Sequence, residues 1–191
     1  MSVQEGIERL RDETRRAGID PKKGLGEELF LFASTLMPVV NVDLLIANDR
    51  GEFLLSWRDD PHCGTGWYFP GGCVRLGETL SERLQKTAQA EAGVRVAYEP
   101  KPAWVFEIFT PEHRDGIADQ HERSHFITLA YLCRVLEGTV QTVDEDPPKP
   151  GDLRWFSELP DNLLELQDCY RDNWPEISER IRRSNNGGME E

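Results

Sequence analysis

Residues 71–94, GGCVRLGETLSERLQKTAQAEAGV, constrain this chain more than any other stretch, because they join a glycine turn to a helix with both ends marked. Thr79 and Glu82 stand in the T-x-x-E spacing of a capping box, in which each side chain satisfies the other's free backbone N–H. Leu80, Leu84 and Ala88 recur every fourth residue as an inward stripe, and Gly93 is the residue type that stops a helix. Upstream, VVNVDLLIA and EFLLSW are β-rich runs joined by Asn-Asp-Arg-Gly, a hairpin signal, so a sheet starts near Val39.

The rest of the chain is organised around that unit. Residues 2–17 are charge-rich, with Ile7 and Leu10 spaced for a narrow helical stripe that Gly18 and Pro21 end; Glu27–Leu36 is a second apolar stretch before Pro38. DDPHCGTG, residues 59–66, reads as loop, and WYFPGG carries aromatics into a turn. Strands are predicted over 94–98, 103–109, 125–136 and LRWF at 153–156. The polar stretch PEHRDGIADQHERS at 111–124 reads as a mobile lid, and 157–183 as one or two helices. The expected division is a helical arm over 1–36, one domain over 37–183 and a frayed tail over 184–191.

Composition narrows the class. At 191 residues a chain buries roughly 70% of its unfolded surface, and 38% hydrophobic residues supply a core without disulfide or metal staples. A formal charge of −13 disfavours nucleic-acid polymers and anionic membranes as partners. The four cysteines contain no CxxC pair, and the longest apolar stretch, Leu29–Val40, is broken by Ser34, Thr35 and Pro38, short of a bilayer span. A mostly polar, acidic stretch precedes it in place of a signal sequence, so a soluble cytoplasmic protein is expected.

One acidic side chain stands out. At 100° per residue Glu91 lies about 20° from Leu80 on the helix, bordering the buried face, where a carboxylate needs a partner. Gly72, Glu78, Glu91, Gly93 and Val94 fall at their positions in G-x5-E-x7-R-E-U-x-E-E-x-G-U, and this segment resembles the signature of Nudix hydrolases; Lys86, Thr87 and Ala90 replace the arginine and two glutamates, and Ala88 is a small version of U. The resemblance implies an α/β fold, a Nudix-type α/β/α sandwich with a mixed β-sheet and, here, an N-terminal helical extension. Lys86-Thr87-Ala88-Gln89-Ala90-Glu91-Ala92-Gly93 is also similar to the thinned box of the GDP-mannose mannosyl hydrolase branch, R-x-x-x-A-E-x-G, and the likeness extends upstream through GEFLLSWR.

That resemblance implies a single magnesium ion, or manganese in its place, held by Glu91 and Gly71, with Asp43 on the sugar and Arg58 on the diphosphate of a nucleoside diphosphate derivative such as GDP-mannose. Arg75 stands in for an arginine that the branch carries directly after the paired glycines, where this chain has Cys73, and Lys86 is a second phosphate candidate. The branch's general base is a histidine in the loop before D-x-R-W, where this chain reads Pro147-Pro148-Lys149-Pro150-Gly151-Asp152. His125 is the leading replacement, near neutral in its free pKa, with His113, His121 and the acidic run Asp144–Asp146 as others. The branch also implies a homodimer assembled through the N-terminal segment. A catalytically impaired nucleotide-binding or partner-docking module is the alternative that the lost glutamates and histidine favour.

Overall fold

The computed structural model describes residues 2–186; residues 187–191, most of the expected tail, lie outside the described residues, and the backbone of 184–186 continues the last helix. Helix α1 spans Val3–Arg16 and opens on a complete capping box between Ser2 and Glu5. Helix α2 spans Glu27–Ser34. Strands β1 (Val39–Ala47) and β2 (Phe53–Asp60) form the expected hairpin, closed by the pairing of Ala47 with Phe53. Strands β3 (Gly64–Tyr68) and β4 (Gly71–Cys73) follow, then helix α3 (Leu80–Ala92), with the predicted Thr79–Glu82 box and Gly93 at φ 68° as its left-handed stop. Strands β5 (Arg95–Tyr98), β6 (Trp104–Phe109), β7 (His125–Glu137) and β8 (Leu153–Phe156) complete the sheet, and helices α4 (Asp168–Asp172) and α5 (Trp174–Asn186) close the chain.

The sheet is mixed. Its main order is β3-β2-β1-β7-β5; β1 and β7 run parallel over nine pairs, from Val39 with Phe126 to Ala47 with Arg134, and the other pairings between strands of the described residues are antiparallel. Alternation along β1 sends Val42, Leu44 and Ile46 to one face and Leu45 and Ala47 to the other. The first face packs against Leu84, Ala88 and Ala92 of α3, the second against Tyr170 of α4 and Ile177 and Ile181 of α5. These are the two helical layers of an α/β/α sandwich.

Three local expectations are corrected. Residues 59–66 are not all loop, because Asp59 and Asp60 pair with Thr65 and Gly64 and extend the β2–β3 ladder. Leu80 is 36% exposed, so the inward stripe of α3 begins one turn later, at Leu84, which is fully buried. The stretch 111–124 is an organised loop. Arg114, 9% exposed, donates to the carbonyls of His62, Gln120 and Glu122, while the Gln120 amide caps the Arg114 N–H and the Ile117 carbonyl. Its polar composition serves an internal network as well as water.

The contrast along α3 is testable. Leu84→Ala is expected to cost about 2–5 kcal/mol and Leu80→Ala within about 0.5 kcal/mol of nothing, read from urea unfolding; equal costs would show that α3 lies differently on the sheet.

Candidate active site

The site is built where β4 crosses β1. Asp43 pairs with Gly71 across this short antiparallel ladder, and a Cβ at Gly71 would sit 2.4 Å from Asp43 Oδ1, so only glycine lets the turn close over the carboxylate. Gly72 is under a similar constraint on the opposite side, where its Cβ would lie 2.6 Å from Thr87 Oγ1 on α3. The paired glycines thus let a backbone turn lie between the acid of one face and the helix of the other.

Asp43 is 2% exposed and fully ringed by donors. Asn41 Nδ2 donates to Oδ1 at 2.6 Å, and Gln167 Nε2 and the Tyr170 hydroxyl donate to Oδ2 at 3.0 and 2.8 Å. Burial raises its pKa from the ordinary 3.8 to about 7, against the opposing effects of the Tyr170 hydroxyl, the Arg58 charge, Asn41 and Gln167. Gln167 also accepts from the Phe69 N–H at 2.7 Å, tying the C-terminal segment to the approach to the glycine turn.

Glu91 comes from α3 on the other side. Its Oε2 accepts from the Tyr68 hydroxyl at 2.5 Å, and the Arg58 guanidinium lies 4.2 Å from the centre of that same Tyr68 ring. No protein cation pairs with Glu91 among the described residues. The Tyr68 bond orients the carboxylate without neutralising it, and burial, the largest influence, pushes the Tyr68 phenol upward, so it stays a donor.

Two cavities meet at the turn. A chamber of about 150 Å³ is lined by Asp43, Arg58, Tyr68 and Gln167, and an open cleft of about 870 Å³ by Glu91, Arg75, Thr87 and, from the N-terminal arm, Phe30 and Met37; Gly71, Gly72 and Cys73 belong to both. Of the site residues expected from sequence, Asp43, Arg58, Gly71, Arg75 and Glu91 therefore converge. Lys86 does not: its Nζ is 2.9 Å from Glu78, whose carboxylate also takes the Arg75 N–H and lies 3.7 Å from Arg83. His125 does not either, since it sits 3.1 Å from Glu107 on the neighbouring strand, stacks on Phe109 and lines neither cavity. His113 lies 3.2 Å from Asp115 with an exposed side chain, and the acidic run packs near Arg154, away from both cavities. Gln167 and Tyr170, which sequence reading did not single out, bond Asp43, and Tyr68, read from sequence as a fold aromatic, bonds Glu91.

No three His, Cys, Asp or Glu side chains among the described residues form a metal-binding group. The donors on the cleft wall suit one hard, hydrated cation: Glu91 keeps an oxygen free of any protein partner, and Gly71 brings backbone to the same wall. Magnesium is commonly held through one or two carboxylates with waters and phosphates completing its shell. Thr87, 2% exposed with Oγ1 unpartnered, and Ala90 occupy the places from which further carboxylates would come, so the set fits a single ion only.

A mixed-sheet α/β/α sandwich in which paired glycines lead to a helix carrying Glu91 defines the class of fold, and residues 37–166 match the family model of the NUDIX domain. The chain belongs to that family. It is 33% identical over 110 residues to the low-salt glycan biosynthesis protein Agl8 of Haloferax volcanii, covering 58% of this chain and 62% of that protein. It is 27% identical over 137 residues to the ADP-ribose pyrophosphatase of Methanocaldococcus jannaschii, covering 72% and 73%. The fold is also that of a solved UDP-X diphosphatase, at TM-score 0.52 and 19% identity over 96% of this chain and 82% of that one. A structure described as a possible asymmetric diadenosine tetraphosphate hydrolase from Jonesia denitrificans shares it at TM-score 0.56 and 21% identity, over 76% and 98%.

The raised pKa of Asp43 sets a sign. Between 3.8 and about 7 the folded protein holds a proton that the unfolded chain has released, so this group's stabilisation is complete below pH 3.8 and is lost as pH rises through 7. Relative to Asp43→Asn, the stability of the native protein should fall across that window by up to about 4 kcal/mol and level off above it. Urea midpoints for the two proteins at matched pH check this, and parallel curves would contradict it.

Proposed function

We propose that this chain is a magnesium-dependent Nudix hydrolase of a nucleoside diphosphate derivative, a nucleotide sugar such as GDP-mannose, with manganese able to replace magnesium. The observation that carries the proposal is the Glu91 carboxylate, oriented by Tyr68, unpaired with any protein cation and facing the same cleft as the Gly71 turn. Glu91 and the Gly71 carbonyl would hold the ion; when bound, it neutralises diphosphate charge and lowers the pKa of a coordinated water. Arg58, held over the Tyr68 ring and 27% exposed at its side chain, offers forked donors to the diphosphate. Asp43, expected on the sugar, has its oxygens taken by Asn41, Gln167 and Tyr170, so in this reading it orders the wall beside the paired glycines and leaves the sugar to other groups. Arg75 packs against Gly24 of the arm and meets the substrate on the cleft side. Lys86 and His125 have no part in this reading, because each is already paired elsewhere.

A nucleotide-binding module without turnover is the second reading, favoured by Thr87 and Ala90 in place of glutamates. A panel of nucleotide sugars with magnesium separates the two. Hydrolysis is expected on at least one, reduced about 100-fold or more in Glu91→Gln; no turnover above that variant on any member would reject the enzymatic reading. Free sugar with nucleoside diphosphate indicates C–O cleavage, and sugar phosphate with nucleoside monophosphate indicates P–O cleavage.

The proposal extends to a cytoplasmic homodimer joined through the arm of residues 1–36, appended to a hydrolase domain over 37–183. No helix among the described residues is long and apolar enough to cross a membrane. Helix α1 buries no residue, and Val3, Ile7 and Leu10 are exposed at 82%, 46% and 38%. Light scattering at micromolar concentration should give twice the chain mass, and Ile7→Glu with Leu10→Glu should return it to the monomer; a monomer mass for the native chain would contradict the dimer.

A further inference from the structure

The smaller chamber holds an arginine that neither the fold nor the proposed reaction accounts for. Arg123 is the one non-glycine residue with positive φ, 49°, among the described residues. Backbone of this kind persists only where its surroundings hold it, and it gathers at ligand sites. The holding group is in the arm: the Arg123 N–H donates to Ser34 Oγ at 2.8 Å, and Ser34 is buried and donates in turn to the Leu31 carbonyl. The guanidinium so placed lines the chamber beside Arg58, and both reach the same sulfur, Arg123 Nη2 at 3.1 Å from Cys63 Sγ and Arg58 Nη1 at 3.6 Å.

Two cations on one thiol are poorly served, because a thiol is a weak acceptor. Among the described residues no carboxylate pairs with Arg123, and its Nε is buried with no acceptor; Arg58 has Asp60 at 3.5 Å, the Tyr68 ring and the nearby charge of Asp43. Asp43 lines the chamber too, but both of its oxygens are taken by Asn41, Gln167 and Tyr170. Two converging guanidinium groups, one of them with a buried Nε that no acceptor reaches, suit an oxyanion, and phosphate matches their planar forks. At roughly 30 Å³ per water, 150 Å³ accommodates a phosphate with part of its hydration.

We propose that Arg123 and Arg58 form a phosphate seat in the inner chamber, across the Gly71–Cys73 turn from Glu91, with Ser34 of the arm as the residue that positions Arg123. The natural occupant rests on the proposed function: it is a phosphoryl group of the nucleotide substrate that lies beyond the Glu91 side of the turn. The seat itself is tested without turnover, in chelator, so a failed substrate panel and a failed seat are separate results.

Inorganic phosphate is titrated calorimetrically into the full chain in chelator, and alkylation of Cys63 by iodoacetamide is followed by peptide mass spectrometry with and without phosphate. Phosphate should bind, slow alkylation of Cys63 and leave Cys169 unaffected. Arg123→Gln should weaken phosphate about tenfold and remove the protection, Arg123→Lys should fall between it and the native chain, and Ser34→Ala should weaken phosphate while Arg58 and Arg123 are intact. Equal phosphate affinity in Arg123→Gln, absence of Cys63 protection in the native protein, or a preference for glucuronate over phosphate would overturn the assignment.

Discussion

The contact between the Gly71 backbone and the Asp43 carboxylate is the constraint on which the site depends. Strand β4 is only three residues long, yet its pairing with β1 brings glycine backbone directly against a buried acid, and a single methyl group at position 71 would drive them apart. Because Gly72 meets Thr87 on the other face, the same turn fixes the spacing of α3. Glu91 on one side and the polar chamber of Asp43 and Arg58 on the other are therefore held at a fixed spacing by one piece of backbone whose two glycines carry no side chain.

The parts legible in the sequence are those written locally. Helix α3 is announced by Thr79, Glu82 and Gly93 within fifteen residues, and the β1–β2 hairpin by two β-rich runs around a four-residue turn. Asp43, Arg58, Gly71 and Glu91 are named by a family resemblance, and the structure brings them to two adjoining cavities. Leu80 was misjudged because periodicity fixes the angle of a residue on a helix and not how far along the axis the sheet reaches.

The site residues that escaped are separated from their partners by most of the chain. Gln167 and Tyr170 reach Asp43 across 124 and 127 residues, and Arg123 is posed by Ser34 across 89. Nothing in their neighbours marks them. Lys86 and His125, which sequence reading offers as a phosphate contact and a general base, lie elsewhere for the converse reason: Glu78 and Glu107 are within reach on adjoining structure and hold them there.

The donors around Asp43 have a consequence for comparing this protein with its relatives. The stretch shared with the family ends at residue 166, and Gln167 and Tyr170 follow immediately. Both oppose the burial that raises this acid, so two of the three side-chain hydrogen bonds favouring its charged form come from just outside the signature-bearing stretch, and trimming the chain at that border would leave the carboxyl with Asn41 alone.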